Sequence, residues 1–132
     1  MKFSTKAEYG LRAIVRVAKS GQKPCSLAKI ARQEGISLNY LEKLMAKLKK
    51  ARLVKSAKGM RGGYFLARAV DKIKVKEIIS ALEGTLAPFY CVSVQGKKNT
   101  CPRSCLTQRV WVKLYKEIIK TLNHISLADL IK

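Results

Sequence analysis

Long apolar runs, histidine and acidic side chains are what this chain has least of, and each shortage narrows its function. No uninterrupted apolar stretch approaches the ~20 residues of a membrane-spanning helix. Charges interrupt every apolar stretch of MKFSTKAEYGLRAIVRV, so the N-terminus lacks the layout of a secretory leader. An integral membrane or secreted protein is not expected, and the cytoplasm is the expected compartment. The single histidine, His124, lies near the C-terminal end. Without a phosphate-cradling glycine loop or a nucleophile–base arrangement, an enzyme is not expected either. No internal repeat is present.

The shortage of acid is the most informative. Eight Asp and Glu stand against 28 Lys and Arg, a formal net charge of +20 over 132 residues. Such a field draws polyanions and strains the compact state by self-repulsion. Apolar residues still make up 48% of the chain, which argues against disorder. A chain of this length suits one ordinary domain, or one compact domain with an appended helix, and buries roughly 68% of its unfolded surface. The charge is uneven: residues 1–70 carry 17 basic and 3 acidic side chains, residues 71–132 carry 11 and 5. The first half is the expected nucleic-acid face. A basic surface with no sequence preference is the alternative that charge alone leaves open.

Apolar spacing predicts a first helix from about Lys6 to Lys19, with Leu11, Ile14, Val15 and Ala18 on one side. GQKP at 21–24 breaks it. A second helix starts after Ser26, an N-cap residue, and stops at Gly35. Only Ile36 separates that glycine from the next N-cap, Ser37. The helix after it places Leu41, Leu44, Met45 and Leu48 on one face. A short helix, a tight turn and a second helix make a helix-turn-helix. Leu53–Val54 and Tyr64–Leu66 follow as strands around Gly59, Gly62 and Gly63, with Lys58 and Arg61 arming the tip. Directly after a helix-turn-helix, this basic hairpin reads as a wing; a merely structural turn gains nothing from two cations. A short amphipathic helix covers 74–82, an irregular stretch 84–105, and a long helix runs from about Cys105 to Leu122. Trp111, Leu114, Tyr115, Ile118 and Leu122 form its apolar stripe, broadened by Val110 and Ile119. Half of that surface suits its own domain and the rest a symmetric dimer.

The second helix of a helix-turn-helix presents its N-terminal residues to base edges in the major groove. Here these are Asn39, Glu42 and Lys43, which suit adenine, cytosine N4 and guanine respectively. Phosphates repel a carboxylate, so Glu42 on a basic surface favours base reading. The plain alternative, an ion pair one helical turn away, has no partner: those positions hold Leu38, Asn39, Met45 and Ala46. Lys47, Lys49, Lys50, Lys58 and Arg61 suit phosphates, or the minor groove for the two in the wing.

Cys91, Cys101 and Cys105 are spaced C-x9-C-x3-C. Three thiols in one loop of a cytosolic protein point to metal or cluster binding rather than disulfides. Lys97, Lys98 and Arg103 favour the thiolate, as does the N-terminus of the helix that follows. Zinc and iron–sulfur clusters both suit such ligands, and reduced, unligated thiols are the plain alternative. Cys25, set apart, reads as a small buried residue.

The stretches LAKIARQEGISLNYLEKLMAKLKKARLVKSAKGMRGGYFLA and CPRSCLTQRVWVKLYKEIIKTLNHISLADL resemble the IscR-like family of winged-helix iron–sulfur transcriptional regulators. The likeness covers nearly the whole chain. ISLNYLEKL, the GMRGGY wing and the three-cysteine loop leading into LTQRVW carry it most specifically. It implies a homodimer crossing its long C-terminal helices, and transcriptional control through an iron–sulfur cluster, 2Fe–2S or 4Fe–4S. It also places Asn39 and Glu42 at base-reading positions, and Lys58 and Arg61 in the wing. One position departs: the IscR subgroup has a histidine ligand three residues after the last cysteine, where this chain has Gln108. NsrR-like relatives instead take an acidic ligand from the first helix of the other protomer, and Glu8 stands there. A plain surface carboxylate is the other reading of Glu8. His124 lies 19 residues beyond Cys105, too far along the helix to serve.

The expected architecture is mostly α: a winged helix-turn-helix over 1–83 with a small β wing, then the cysteine loop and a dimerisation helix over 84–132. The expected function is sequence-specific regulation on a palindromic double-stranded DNA operator, with cluster or redox status sensed through Cys91, Cys101, Cys105 and Glu8. Loop 91–105 is expected to act against the first helix and so change the spacing of the two recognition helices. The rival readings are a zinc site or a partner protein as the signal, and a non-specific basic nucleic-acid-binding protein.

Overall fold

The computed structural model describes residues 3–59, 62–88 and 106–132. Three helices open the chain: α1 (Thr5–Lys19), α2 (Leu27–Glu34) and α3 (Leu38–Lys50). Each starts at a serine N-cap whose hydroxyl accepts from a first-turn N–H: Ser4 from Lys6, Ser26 from Lys29 and Ser37 from Tyr40. These satisfy donors that no carbonyl in the helix can reach. Gly35 closes α2 at φ +67, and the N–H of Ile36 returns to the Ala31 carbonyl at 3.1 Å. The left-handed residue reverses the chain in two steps, which is what sets α3 against α2.

The α3 face of Leu41, Leu44, Met45 and Leu48 is fully buried, as expected. In α1 the buried line is shifted. Ala7, Gly10, Ala13, Ile14, Val17 and Ala18 lie inside, while Leu11 and Val15 are half-exposed. Small residues on the inner line let a neighbouring helix come close, and an apolar-spacing pattern weighted towards large side chains misses them.

The hairpin of β1 (Val54–Ala57) and β2 (Gly63–Leu66) is antiparallel, pairing Val54 with Leu66 and Ala57 with Gly63. The Gly62 N–H reaches the Gly59 carbonyl at 2.9 Å across the tip. Cys25 extends the sheet, exchanging hydrogen bonds of 2.7 and 2.9 Å with Tyr64. Its side chain is buried, as the sequence suggests for a small apolar residue. The wing is thereby tied to the segment between α1 and α2.

A 3-10 turn (Val70–Lys72) leads into α4 (Val75–Glu83), and α5 (Gln108–Asn123) and α6 (Leu127–Leu130) complete the chain. The long helix begins at Gln108, after a turn at Leu106–Thr107, rather than near Cys105. The core gathers Ile14, Val17, Ile30, Leu44, Leu48, Leu53, Ile73, Ile78 and Leu82, together with Leu127 from α6. Full burial of such a side chain contributes on the order of 1.5–3 kcal/mol. Leu127 reaches this core because its N–H donates to the Ile73 carbonyl at 3.0 Å, while Val75 N–H donates to Ile125 at 2.8 Å. The last residues of the chain are thus pinned beside the start of α4. Tyr115, Ile119 and Leu122 of α5 pack on a smaller cluster of Ala7, Val75, Ile79 and Leu86. On its other side, Val110 is 58% and Leu114 38% exposed.

Candidate nucleic-acid interface

With its apolar face buried, α3 turns Asn39, Glu42 and Lys43 to solvent. None of the three makes a side-chain hydrogen bond or ion pair among the described residues. Glu42 is therefore a bare carboxylate among Lys43, Lys47, Lys49 and Lys50, all exposed. Such a group can accept from a base amino group without first breaking an internal bond.

Besides its buried apolar face, two side-chain interactions tie α3 to its neighbours. At its N-terminal end, Tyr40 meets Tyr9 of α1 edge-to-face, with ring centroids 6.4 Å apart, and its hydroxyl lies 3.3 Å from Thr5 Oγ1. An aromatic pair of this geometry adds about 0.5–1.5 kcal/mol beyond area burial. Towards its C-terminal end, Lys47 Nζ donates to the Leu82 carbonyl at 3.5 Å, in the last turn of α4. Lys47 thus stands on the flank of α3 that faces α4, with its charge beside the negative end of that helix.

The same end of α4 also holds α1. Glu83 accepts from the Ser4 N–H at 2.8 Å and from the Ser4 hydroxyl. Burial pushes the Glu83 carboxyl up, but the Ser4 hydroxyl, the backbone N–H groups of Ser4 and Ala7, and nearby Lys6 outweigh it. The net pKa lies below the ordinary 4.5. Nearly two turns further along α1, Gly10 is packed beneath Leu82. None of these pairings was readable from spacing, although a glycine inside a helical pattern does signal a close approach.

Glu8, in the first turn of α1, is exposed and accepts from Arg12 at 2.9 Å. Arg12 also reaches Glu34 of α2 at 3.6 Å and lies 5.6 Å from the centre of the Tyr9 ring. Arg16 holds the same Glu34 at 2.9 Å. Lys58 is exposed at the wing tip beside Gly59, and Arg61 lies outside the described residues. Cys91, Cys101 and Cys105 also lie outside them. His124 Nδ1 sits 2.6 Å from the Lys120 carbonyl, at the far end of α5 from Gln108. Among the described residues no three His, Cys, Asp or Glu side chains come together as a metal site. No described helix is long and apolar enough to cross a membrane.

Two serine-capped helices joined by a tight turn, an exposed polar face on the second and a β hairpin after it define a DNA-binding winged helix of the transcription-regulator type. The comparisons agree. Residues 3–132 match the family Rrf2, described as "Iron-dependent Transcriptional regulator", and the chain belongs to this family. It is 38% identical over 135 residues to protein rrf2 of Nitratidesulfovibrio vulgaris, covering all of this chain and 88% of that one. Among solved structures it is similar to T. potens IscR, at 42% identity and a TM-score of 0.77, over 99% of this chain and 86% of that one. It is also similar to CymR, the global cysteine regulator of B. subtilis, at 33% identity and a TM-score of 0.80, over 99% and 96% of the two chains. The chain is a transcriptional regulator of the Rrf2 family, and its relatives of that kind are regulators rather than enzymes.

Proposed function

We propose that this regulator works in the cytoplasm as a homodimer on palindromic double-stranded DNA and responds to an iron–sulfur cluster. The observation that carries the DNA reading is the solvent-facing row of Asn39, Glu42 and Lys43, with Glu42 unpaired on a strongly basic helix. In this reading these three contact base edges, while Lys47, Lys58 and Arg61 hold phosphates or line the minor groove. Residues 1–83 form the DNA-binding unit and 84–132 the sensing and pairing unit, with α6 folded back onto the first. The exposed Val110 and Leu114 of α5 support pairing through that helix.

Cys91, Cys101 and Cys105 would hold the cluster, with Glu8 from the other protomer as the fourth ligand. The donor set fits: three soft thiolates, and a carboxylate whose one internal bond, to Arg12, is solvent-exposed and exchangeable. A bound cluster supplies a thiolate-held group that responds to iron supply or oxidation. The chain's own residues provide the route from there. The cysteine-bearing segment leaves α4 just after Leu82 and Glu83, and these two hold Lys47 of α3 and Ser4 of α1. A pull on this end of α4 therefore acts on the recognition helix and on the helix that carries Glu8. In a dimer whose half-sites lie about 34–36 Å apart, a small rotation of α3 changes the fit of both halves together.

The first test is purification without oxygen, followed by visible absorption and assays of iron and acid-labile sulfide on one sample. Matched iron and sulfide in a coloured protein support the cluster. A colourless protein containing zinc replaces the cluster with a structural metal and leaves the DNA reading in place. Metal-free protein that also resists cluster reconstitution removes the sensing half. Binding that shows no preference for a palindrome and vanishes at high salt would leave only a non-specific basic protein.

A further inference from the structure

We propose that the cleft between the C-terminal end of α3 and β1 is a phosphate-binding site for the backbone of duplex DNA, built around Arg52. The assignment rests on the DNA-binding reading above and adds to it a site outside the recognition face.

The first observation is conformational. Arg52 is the one non-glycine residue with positive φ among the described residues, at +61. It closes α3 in a two-bond turn: its own N–H donates to the Lys49 carbonyl at 2.9 Å, and the Leu53 N–H to the Leu48 carbonyl at 3.0 Å. An L-residue is disfavoured there because its Cβ crowds the following carbonyl, and glycine is the usual occupant. The chain itself uses glycine in the same role one helix earlier, where Gly35 at φ +67 precedes the Ile36 N–H that returns to Ala31. Two helices end with one geometry, and only the second carries a strained arginine. The turn does not need that side chain, so its use lies elsewhere.

The second observation is charge. Lys49, Arg52, Lys55 and Arg68 line one solvent-open cleft, and Glu77 is the sole carboxylate among its lining residues. Glu77 is already engaged by Arg68 at 2.9 Å. Lys49 Nζ is fixed across the cleft by Ser56 Oγ at 2.6 Å. Arg52 and Lys55 are exposed and make no side-chain bond among the described residues. Cations gathered this way repel one another until an anion lies between them. A guanidinium fork matches phosphate oxygens in pairs. An open trough suits a passing polymer backbone better than an enclosed small anion. It is also continuous with the recognition helix through Lys49 and with the first strand of the wing through Lys55 and Ser56.

Arg52→Gly separates the two roles of the residue, since it relieves the turn while removing the charge. Lys55→Ala removes a charge from a strand with no such strain. The probe is a labelled mixed-sequence duplex long enough to carry two half-sites, titrated by anisotropy over a series of salt concentrations. Arg52→Gly is expected to melt higher than the parent protein yet bind several-fold more weakly. Its plot of log K against log salt should be shallower by about 0.9 for each phosphate no longer neutralised. Lys55→Ala is expected to show the shallower slope without the rise in melting temperature. Parent slopes in both variants would overturn the site. So would an Arg52→Gly protein that melts no higher, because the strain would then have no weight. Inorganic phosphate that raises the melting temperature of the parent protein, with DNA slopes unchanged in the variants, would reassign the cleft to a free anion and overturn the DNA assignment. A parent protein that binds no duplex would bring down the DNA-binding reading itself, whereas a parent that binds just as its variants do sinks the cleft alone.

Discussion

Gly10 of α1 and Leu82 of α4 are packed so closely that a Cβ on Gly10 would overlap both Leu82 methyl groups and stand 3.0 Å from Leu82 Cγ. Leu82 is fully buried in the core, so its methyl groups move only if their neighbours do. Alanine is the better helix former by about 1 kcal/mol, so propensity and packing pull in opposite directions. Overpacking of this kind costs about 1–3 kcal/mol, and packing is expected to win. Gly10→Ala should lower the urea midpoint, while the same change in a Leu82→Ala background should be neutral or stabilising. A Gly10→Ala protein as stable as its parent would show that α1 and α4 can part without cost at this crossing.

Glu42 offers a test of base reading that charge counting does not foresee. Glu42→Ala lowers the acidic count on an already basic helix, so an electrostatic view predicts tighter binding everywhere. Direct readout predicts instead a loss of discrimination at one base pair of about 1–3 kcal/mol, with the salt slope unchanged. Titration of an operator and its single-base-pair variants decides between them.

Acid should loosen the joint between α1 and α4. The folded pKa of Glu83 lies below its ordinary value of 4.5, so its contribution is complete above that value and fades as pH falls through the lower, folded one. Urea midpoints of the parent and of Glu83→Gln, measured from neutral pH downwards, should differ most near neutrality and converge in acid. A gap that widened on acidification would reverse the sign of the linkage.

The exposed side of α5 makes a prediction about assembly. Val110→Glu places a charge on a face that is already 58% accessible at that residue, so the fold of one protomer should melt much as before. Sedimentation should then report a monomer, and operator affinity should fall because two half-sites no longer bind as a unit. A Val110→Glu protein that stays dimeric would move the interface off this face.

Cys101→Ala tests the sensing loop. Loss of visible absorption together with a change in operator affinity is the expected result, compared with the parent before and after chelator treatment. Identical affinity for all forms would separate the thiols from regulation.

The local architecture could be read from the chain because its signals are local. Ser26, Gly35 and Ser37 mark the ends of α2 and the start of α3 whatever surrounds them, since capping satisfies groups within one turn. The spacing of Leu41, Leu44, Met45 and Leu48 fixes which side of α3 turns inward, and by elimination exposes Asn39, Glu42 and Lys43. The wing was legible only in part: its glycines marked the reversal, but the first strand runs over Val54–Ala57 rather than Leu53–Val54, because Leu53 goes into the core and the strand continues through polar residues. The start of α5 was not, because a favoured capping residue type does not by itself mark a boundary: Thr107 stands at the N-cap in a helical conformation and its side chain makes no capping bond there.

What the sequence by itself determined was therefore the helix-turn-helix, the glycine reversal of the wing, the solvent-facing side of α3 and the strongly positive charge, all consequences of side-chain period and composition, whereas α6 and the 3-10 turn left no such signal. Only the tertiary structure decided how these elements are tied together. Glu34 is shared by Arg12 and Arg16 across α1 and α2, Lys47 reaches the end of α4, and Ser4 meets Glu83, 79 positions away in the chain. Such pairings depend on which helices lie side by side. Many cations could serve each carboxylate in a chain carrying 28 of them, and only packing selects one. The strain at Arg52 belongs with these: an arginine after a helix looks ordinary in sequence, and the left-handed turn that makes it informative exists only in the folded chain.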